Sequence, residues 1–347
     1  MFPDRPPAGL AVIPRAGATG EGELVGTEAL EMARMVAGEL GTEPHLPYLP
    51  LLPERGPGSD AIGRTAALLT TVSTQFAVST TPAGWRLAGG DSREMRRARS
   101  WLGEDLDALE SQLGDFGRHV IVPVVGPWTM AASLELMTGH RLVRDPSAVF
   151  DLAQALAQAV ADHAAELRRR LPSATPIVRL DEPLLPAVLA GALATPSGFD
   201  RYRMVTEQVA SERLATVVGG SDVLVRCAGG LLPLAVLAAS GAVGVSVDLS
   251  SVDLARDGDQ LGMLVDAGRA LFFGVRTERG NAPLASVVGA TVSEVSRLWT
   301  NLGFDLESLP GSVALQPSAG RPAVDPVGDF ELLRAVSARL REVRVDE

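Results

Sequence analysis

HVIVPVVGPWT, residues 119–129, is the stretch whose reading decides the fold. Its β-branched residues favour a fully buried strand over 119–126, and Pro127 can open a helix at the first helical position. Outward from it the same alternation repeats. Residues 146–171 carry Val149, Leu152, Leu156 and Val160 at helical spacing, and the short apolar run PIVRL at 176–180 follows. Further strands are expected at 222–227, 243–249, 271–275 and 313–316, separated or followed by helical patterns at 231–240, 258–268, 283–303 and 328–343. Strands alternating with helices call for parallel βαβ units. Two more strands are needed to close a ring. Residues 11–20, before a helical segment at 27–40, and residues 71–79, before Gly84-Trp85, are the candidates. The expectation is a (β/α)₈ barrel formed by one domain over 1–347. A doubly wound open sheet is the alternative, but no GxGxxG follows a strand to support it. The Pro-rich run PHLPYLPLLPERGP at 44–57 reads as a rigid connection or a substrate-facing loop.

Composition narrows the partners. The chain has 347 residues, of which 46% are hydrophobic, enough for a large core. A net charge of −11 is opposite to what a phosphate backbone attracts, so no nucleic-acid partner is expected. No run of about 18 apolar residues lacks charge or helix breakers, so no membrane partner is expected either. The N-terminal residues lack the apolar run of a signal peptide, and the only cysteine, Cys227, fits a reducing compartment; a cytoplasmic location is expected. All 31 basic residues are arginine, which reads as a codon bias.

In a barrel, chemistry gathers where strands end at the C-terminal face. Residues 126–129, Asp181-Glu182-Pro183, Cys227, Asp248, Arg276 and Ser318 all fall at such ends. Asp181 and Glu182 follow a buried-type strand, where a carboxylate can hold an ammonium or act as acid or base. The structural alternative is that one of them caps the helix starting at Pro183. Cys227 is either a ligand or nucleophile, or a small buried hydrophobe. Cys227 and Asp248 could share a metal, yet two ligands fall short of the three or four that zinc takes. His45, His119, His140 and His163 are scattered, and His163 reads as exposed on its helix.

The ordered set GPWT (126–129), RLDEP (179–183) and SVDLS (246–250) resembles motifs in the C-terminal barrel of cobalamin-independent methionine synthase. PER at 53–55, Gly84-Trp85, Gly26-Thr27-Glu28 and QPSAG at 316–320 extend the resemblance over nearly the whole chain. The family implies methyl transfer from a methyltetrahydrofolate-type donor to the thiol of homocysteine. A zinc ion held by His, Cys, an acidic residue and a second Cys activates the thiol. At the matched positions this chain has Val225, Cys227, Asp248 and Ala319. Val225 and Ala319 cannot coordinate zinc, so no cofactor is expected; a one-residue gap would place Arg226 at the His position, which repels a cation. A family Ser near Gly22 reads Glu23, and Glu54 is the nearest carboxylate at the PER segment. By resemblance Asp181 would hold the amino group of an amino acid, with Trp128, Thr129 and Glu182 lining the pocket.

Three functions follow from these residues. The first is S-methyl transfer with another means of activating the thiol. The second is a metal-free, non-catalytic relative that binds an amino acid or a folate. The third is a decarboxylase resembling uroporphyrinogen decarboxylase, for which Arg5 and Arg15 would have to grip a poly-carboxylate. In each case the expected partner is a small molecule.

Overall fold

The structure is a computed structural model that describes residues 16–219, 221–320 and 325–343. Nine strands are named in chain order: β1 (Val78–Thr81), β2 (Gly84–Leu87), β3 (His119–Val125), β4 (Leu134–Glu135), β5 (Thr175–Asp181), β6 (Val223–Arg226), β7 (Gly244–Asp248), β8 (Ala270–Val275) and β9 (Val313–Pro317). The order β3-β5-β6-β7-β8-β9 is parallel throughout, and these are the six strands expected from the alternating pattern.

Two irregular staves close this curl into a barrel. Residues 17–19 pair with β9, Thr19 N donating to Leu315 O and Leu315 N to Gly17 O. On its other side this stave meets residues 46–51 through Leu46 N to Ala18 O and Leu51 N to Gly22 O, and that second stave reaches β3 through Leu49 N to Ile121 O. The ring therefore has eight members, which sets aside the open doubly wound sheet.

The first stave falls within 11–20 as expected, although 11–15 lie outside the described residues. The second corrects the expectation. Residues 71–79 end the helix Ala61–Val72, pass through a turn and enter β1, which makes an antiparallel hairpin with β2 outside the barrel. The second stave is instead the middle of the Pro-rich run. Pro47 and Pro50 have no N–H, so that segment donates to its neighbouring staves through Leu46, Leu49 and Leu51, and a proline-dense sequence does not read as a central strand. Two helices, Ala61–Val72 and Arg93–Leu113, occupy a segment for which the pattern predicted none.

Helices cover the outside, as in Pro146–Arg170, whose Leu152, Leu156, Val160 and Leu167 are buried. His163 lies on that inward face at 4% exposure, not on the solvent side, and burial lowers its pKa to about 4. His45 is lowered to about 4 as well, mainly by burial, and its neutral Nδ1 accepts from Ala18 N at 3.2 Å. Within the described residues no helix is long and apolar enough to cross a membrane.

Candidate active site

The motif GPWT folds as it does because of Glu182. The helix Pro127–Ser133 opens at Gly126, which has no side chain to satisfy the free N–H groups of the first turn. Glu182, the residue after β5, supplies that function: its carboxylate accepts from Trp128 N at 2.8 Å, Thr129 N at 2.7 Å and Thr129 Oγ1 at 2.7 Å. A Cβ at position 126 would run into the Glu182 carboxyl, so the glycine makes room for the cap. The two motifs are thus the halves of one joint. Glu182 is a cap, but of the helix at 127 and not of one at Pro183. Being fully buried, its pKa is pushed up to about 7 by desolvation, which outweighs its three donors.

The cavity lies beside this joint, at the C-terminal strand ends, with a volume of about 510 Å³. Leu51, Ile62, Val125 and Leu184 form its apolar wall, with Thr129 and Ser133 beside them. The lining also carries four carboxylates, Glu21, Glu23, Asp181 and Asp248, and one cation, Arg226. Strand register brings Val125, Asp181, Arg226 and Ser246 to one level around the ring.

Each charge has its own setting. Arg179, fully buried two residues below Asp181 on β5, holds that carboxylate with Nε at 2.8 Å and Nη2 at 3.1 Å. It also donates to Gly20 O at 3.0 Å and to Glu21 O, tying the first stave to the barrel. Arg226 Nη2 lies 2.8 Å from Glu21 Oε1, and its Nη1 lies 3.9 Å from Asp181 Oδ1. Burial raises the Glu21 pKa, but Arg226 and Arg179 outweigh it and leave it below the usual value. Asp248 accepts from Ala319 N at 3.1 Å, and burial pushes its pKa up. Glu23 has no ion pair among the described residues; burial first, then Glu21, Asp60 and Asp181, raise its pKa.

Of the residues singled out from sequence, Asp181, Thr129 and Asp248 face the cavity together. Trp128, Glu182 and Cys227 do not line it. Trp128 is buried behind it with its indole N–H donating to Ala210 O at 3.0 Å. Cys227 and Val225 sit in the hydrophobic core, on the opposite side of the strand from Arg226, and the thiol points at Glu182 O at 3.5 Å. Arg276 is exposed. The thiol pKa is raised by burial and then by Glu182. We expect native protein to leave Cys227 unmodified by a chromogenic disulfide reagent, with one thiol appearing on unfolding; fast reaction in the native state would mean that the thiol opens to the cavity.

The donor set fits zinc poorly. Val225 and Ala319 offer no ligand atom, Cys227 faces away from Asp248's side of the strand ends, and Arg226 brings a fixed positive charge into the cavity. Among the described residues no group of three or more His, Cys, Asp or Glu side chains is placed to hold a metal ion.

Arg179 and Glu21 are the functional residues that sequence reading missed. A signal for Arg179 existed: an arginine inside the apolar run PIVRL must find a carboxylate if buried, and Asp181 shares its face. Nothing local marks Glu21.

No family model matches the sequence, and no curated protein matches it. Among solved structures, a B12-independent methionine synthase from Shewanella sp. W3-18-1 in complex with selenomethionine aligns over 96% of this chain and 98% of its own, with a TM-score of 0.57 and 12% identity. The carboxyl transferase domain of Rhizobium etli pyruvate carboxylase covers 81% of this chain and 58% of its own at 11% identity, but its TM-score of 0.27 carries no weight. The chain thus shares its barrel architecture with the methionine synthase, at an identity that speaks to fold alone.

Proposed function

We propose that this chain binds a small amino acid in the carboxylate-lined mouth of its barrel and does not use zinc to activate a thiol. The observation that carries the reading is the Arg226–Glu21 ion pair inside the cavity, on the strand where Val225 and Cys227 turn into the core. A guanidinium there opposes a divalent cation, while the carboxylates around it still offer charge-assisted bonds to an ammonium group. The selenomethionine bound by the methionine synthase of the same fold is an amino acid of the size this cavity admits.

Asp181, the residue that the resemblance assigns to the amino group, is held on both oxygens by Arg179, so its role includes orienting that arginine. S-methyl transfer to a bound thiol, which the resemblance also implies, is the second reading. It needs a group other than zinc to take the thiol proton, and our candidate is Glu23, which like Asp248 lines the cavity without an ion pair among the described residues and whose pKa is raised by burial.

Calorimetry with methionine and homocysteine tests the first reading. Without a metal the thiol gains nothing over the thioether, so the two affinities should agree within about threefold and be indifferent to chelator. Homocysteine binding at least about tenfold tighter, a difference of about 1.4 kcal/mol, with sensitivity to chelator, would show that a metal site persists.

A further inference from the structure

A second cavity lies at the other end of the barrel. Arg269 stands immediately before β8, and Gly241 and Ala242 stand shortly before β7, so the groove between the helices Leu234–Ala239 and Leu254–Asp266 opens at the N-terminal strand ends. Its volume is about 180 Å³. Ala235 and Ala238 form one wall, Met263 and Leu264 the other, and the exposed Met263 leaves the groove open to solvent. The polar residues of the lining are Gln260 and Arg269, and it contains no acid. Arg269 is 7% exposed, and an arginine buried to that degree is ordinarily paired with a carboxylate. This one has no ion pair among the described residues. Its Nη1 donates to two neutral acceptors, Gly241 O at 3.2 Å and Ala242 O at 2.5 Å. Nε and Nη2 donate to nothing among the described residues, and neither belongs to the polar atoms that the fold shuts away without a partner, so both keep accessible surface. For a side chain so buried, the groove it lines supplies that surface. Burial lowers the Arg269 pKa, with no acid opposing the shift.

We infer that this groove binds a small monocarboxylate with an apolar tail, the carboxylate on the edge formed by Arg269 Nε and Nη2 and the tail between Ala235 and Met263. That edge presents two donors at the spacing of a carboxylate's oxygens, the geometry with which Arg179 already holds Asp181 in the same barrel. A ligand with one negative charge supplies the anion that the buried guanidinium lacks, and the lining has no acid to repel it. An apolar cavity of about 150 Å³ holds a benzene molecule, so a groove of about 180 Å³ has room for a chain of about four to six carbons. A phosphorylated or nucleotide ligand does not suit it, since Arg269 is the only cation of the lining. The inference is independent of the amino-acid reading, because the groove shares no residue with the barrel mouth.

The test is calorimetry of the intact protein with sodium hexanoate at neutral pH and low salt. Two probes run beside it: hexanamide, which keeps the tail without the charge, and acetate, which keeps the charge without the tail. Hexanoate should bind at least about tenfold more tightly than either. Arg269→Gln should weaken hexanoate by at least about tenfold and leave hexanamide unchanged. Because that variant also disturbs the bonds to Gly241 and Ala242, Ala235→Leu supplies a second block. It fills the groove from an exposed helix position, leaves Arg269 intact and should abolish hexanoate binding. Circular dichroism of each variant shows that lost binding is not lost fold. Hexanamide or acetate binding as tightly as hexanoate overturns the inference, and so does failure of hexanoate to bind. Binding that survives Ala235→Leu overturns it as well, by placing the anion elsewhere, as at Arg226 in the barrel mouth.

Discussion

Arg179→Met is expected to lower stability by about 3–5 kcal/mol, because breaking a buried ion pair leaves an uncompensated charge behind. Asp181 is only 15% exposed, and the guanidinium is its bidentate partner. The change also strips the donors that hold Gly20 O and Glu21 O, so the loss should reach the first stave and weaken ligand binding. Denaturant unfolding measures the cost, and Arg179→Met with Asp181→Leu supplies the control: with both charges gone, the double variant should be more stable than the sum of the single costs implies. A cost under about 1 kcal/mol, as at a surface ion pair, would mean that the barrel interior is wet enough to screen it.

Glu182→Ala is expected to cost about 3–5 kcal/mol as well, by a different route. Three donors lose one acceptor at once, and each donor left unsatisfied in the interior costs about 1–3 kcal/mol. The same carboxyl gives a pH signature. Its folded pKa of about 7 lies above the ordinary 4.5, so the folded state binds the proton more tightly than the unfolded chain does. Its contribution is then fully present below pH 4.5 and is lost as pH rises through about 7. Glu182→Gln removes that slope. Stability measured at intervals between pH 4 and 8 should fall more steeply with pH in the parent than in Glu182→Gln; parallel curves would place the buried carboxylate in its ionised form throughout, with the two backbone donors dominating.

The six parallel strands were legible because their signal is local: β-branched runs such as HVIVPVV carry their burial in their composition. The second stave was not. In a run with Pro44, Pro47 and Pro50 the turn chemistry outweighs every strand preference, and only the neighbours Ala18, Gly22 and Ile121 make a stave of it. The site divides the same way. Asp181 and Asp248 stand out as polar residues ending apolar strands, and the cavity holds both. Cys227 has equal claim by position, but side chains alternate across a strand, and the parity that sends Arg226 inward sends Cys227 into the core. Sequence alone does not fix that parity, because VLVRC is apolar on both sides of its single arginine. Glu182 looked like a substrate group for a related reason: its partners, the N–H groups of Trp128 and Thr129, belong to a helix more than fifty residues earlier.

Ring closure through Ala18 and Leu315 also ties the cavity to the order in which the chain is made. Glu21 and Glu23 are made well before Asp248 and Ala319, and the stave that carries the first pair has no hydrogen-bonding edge to join on one side until β9 exists. During synthesis the early stave must wait while the strands between assemble, since domains of high contact order pay their closure entropy before the distant contact rewards it. The pocket cannot then be finished by a chain that stops short of β9 and Ala319. A ligand of the proposed kind would bind only a barrel whose two ends have met, so its occupancy would double as a report that the ring has closed.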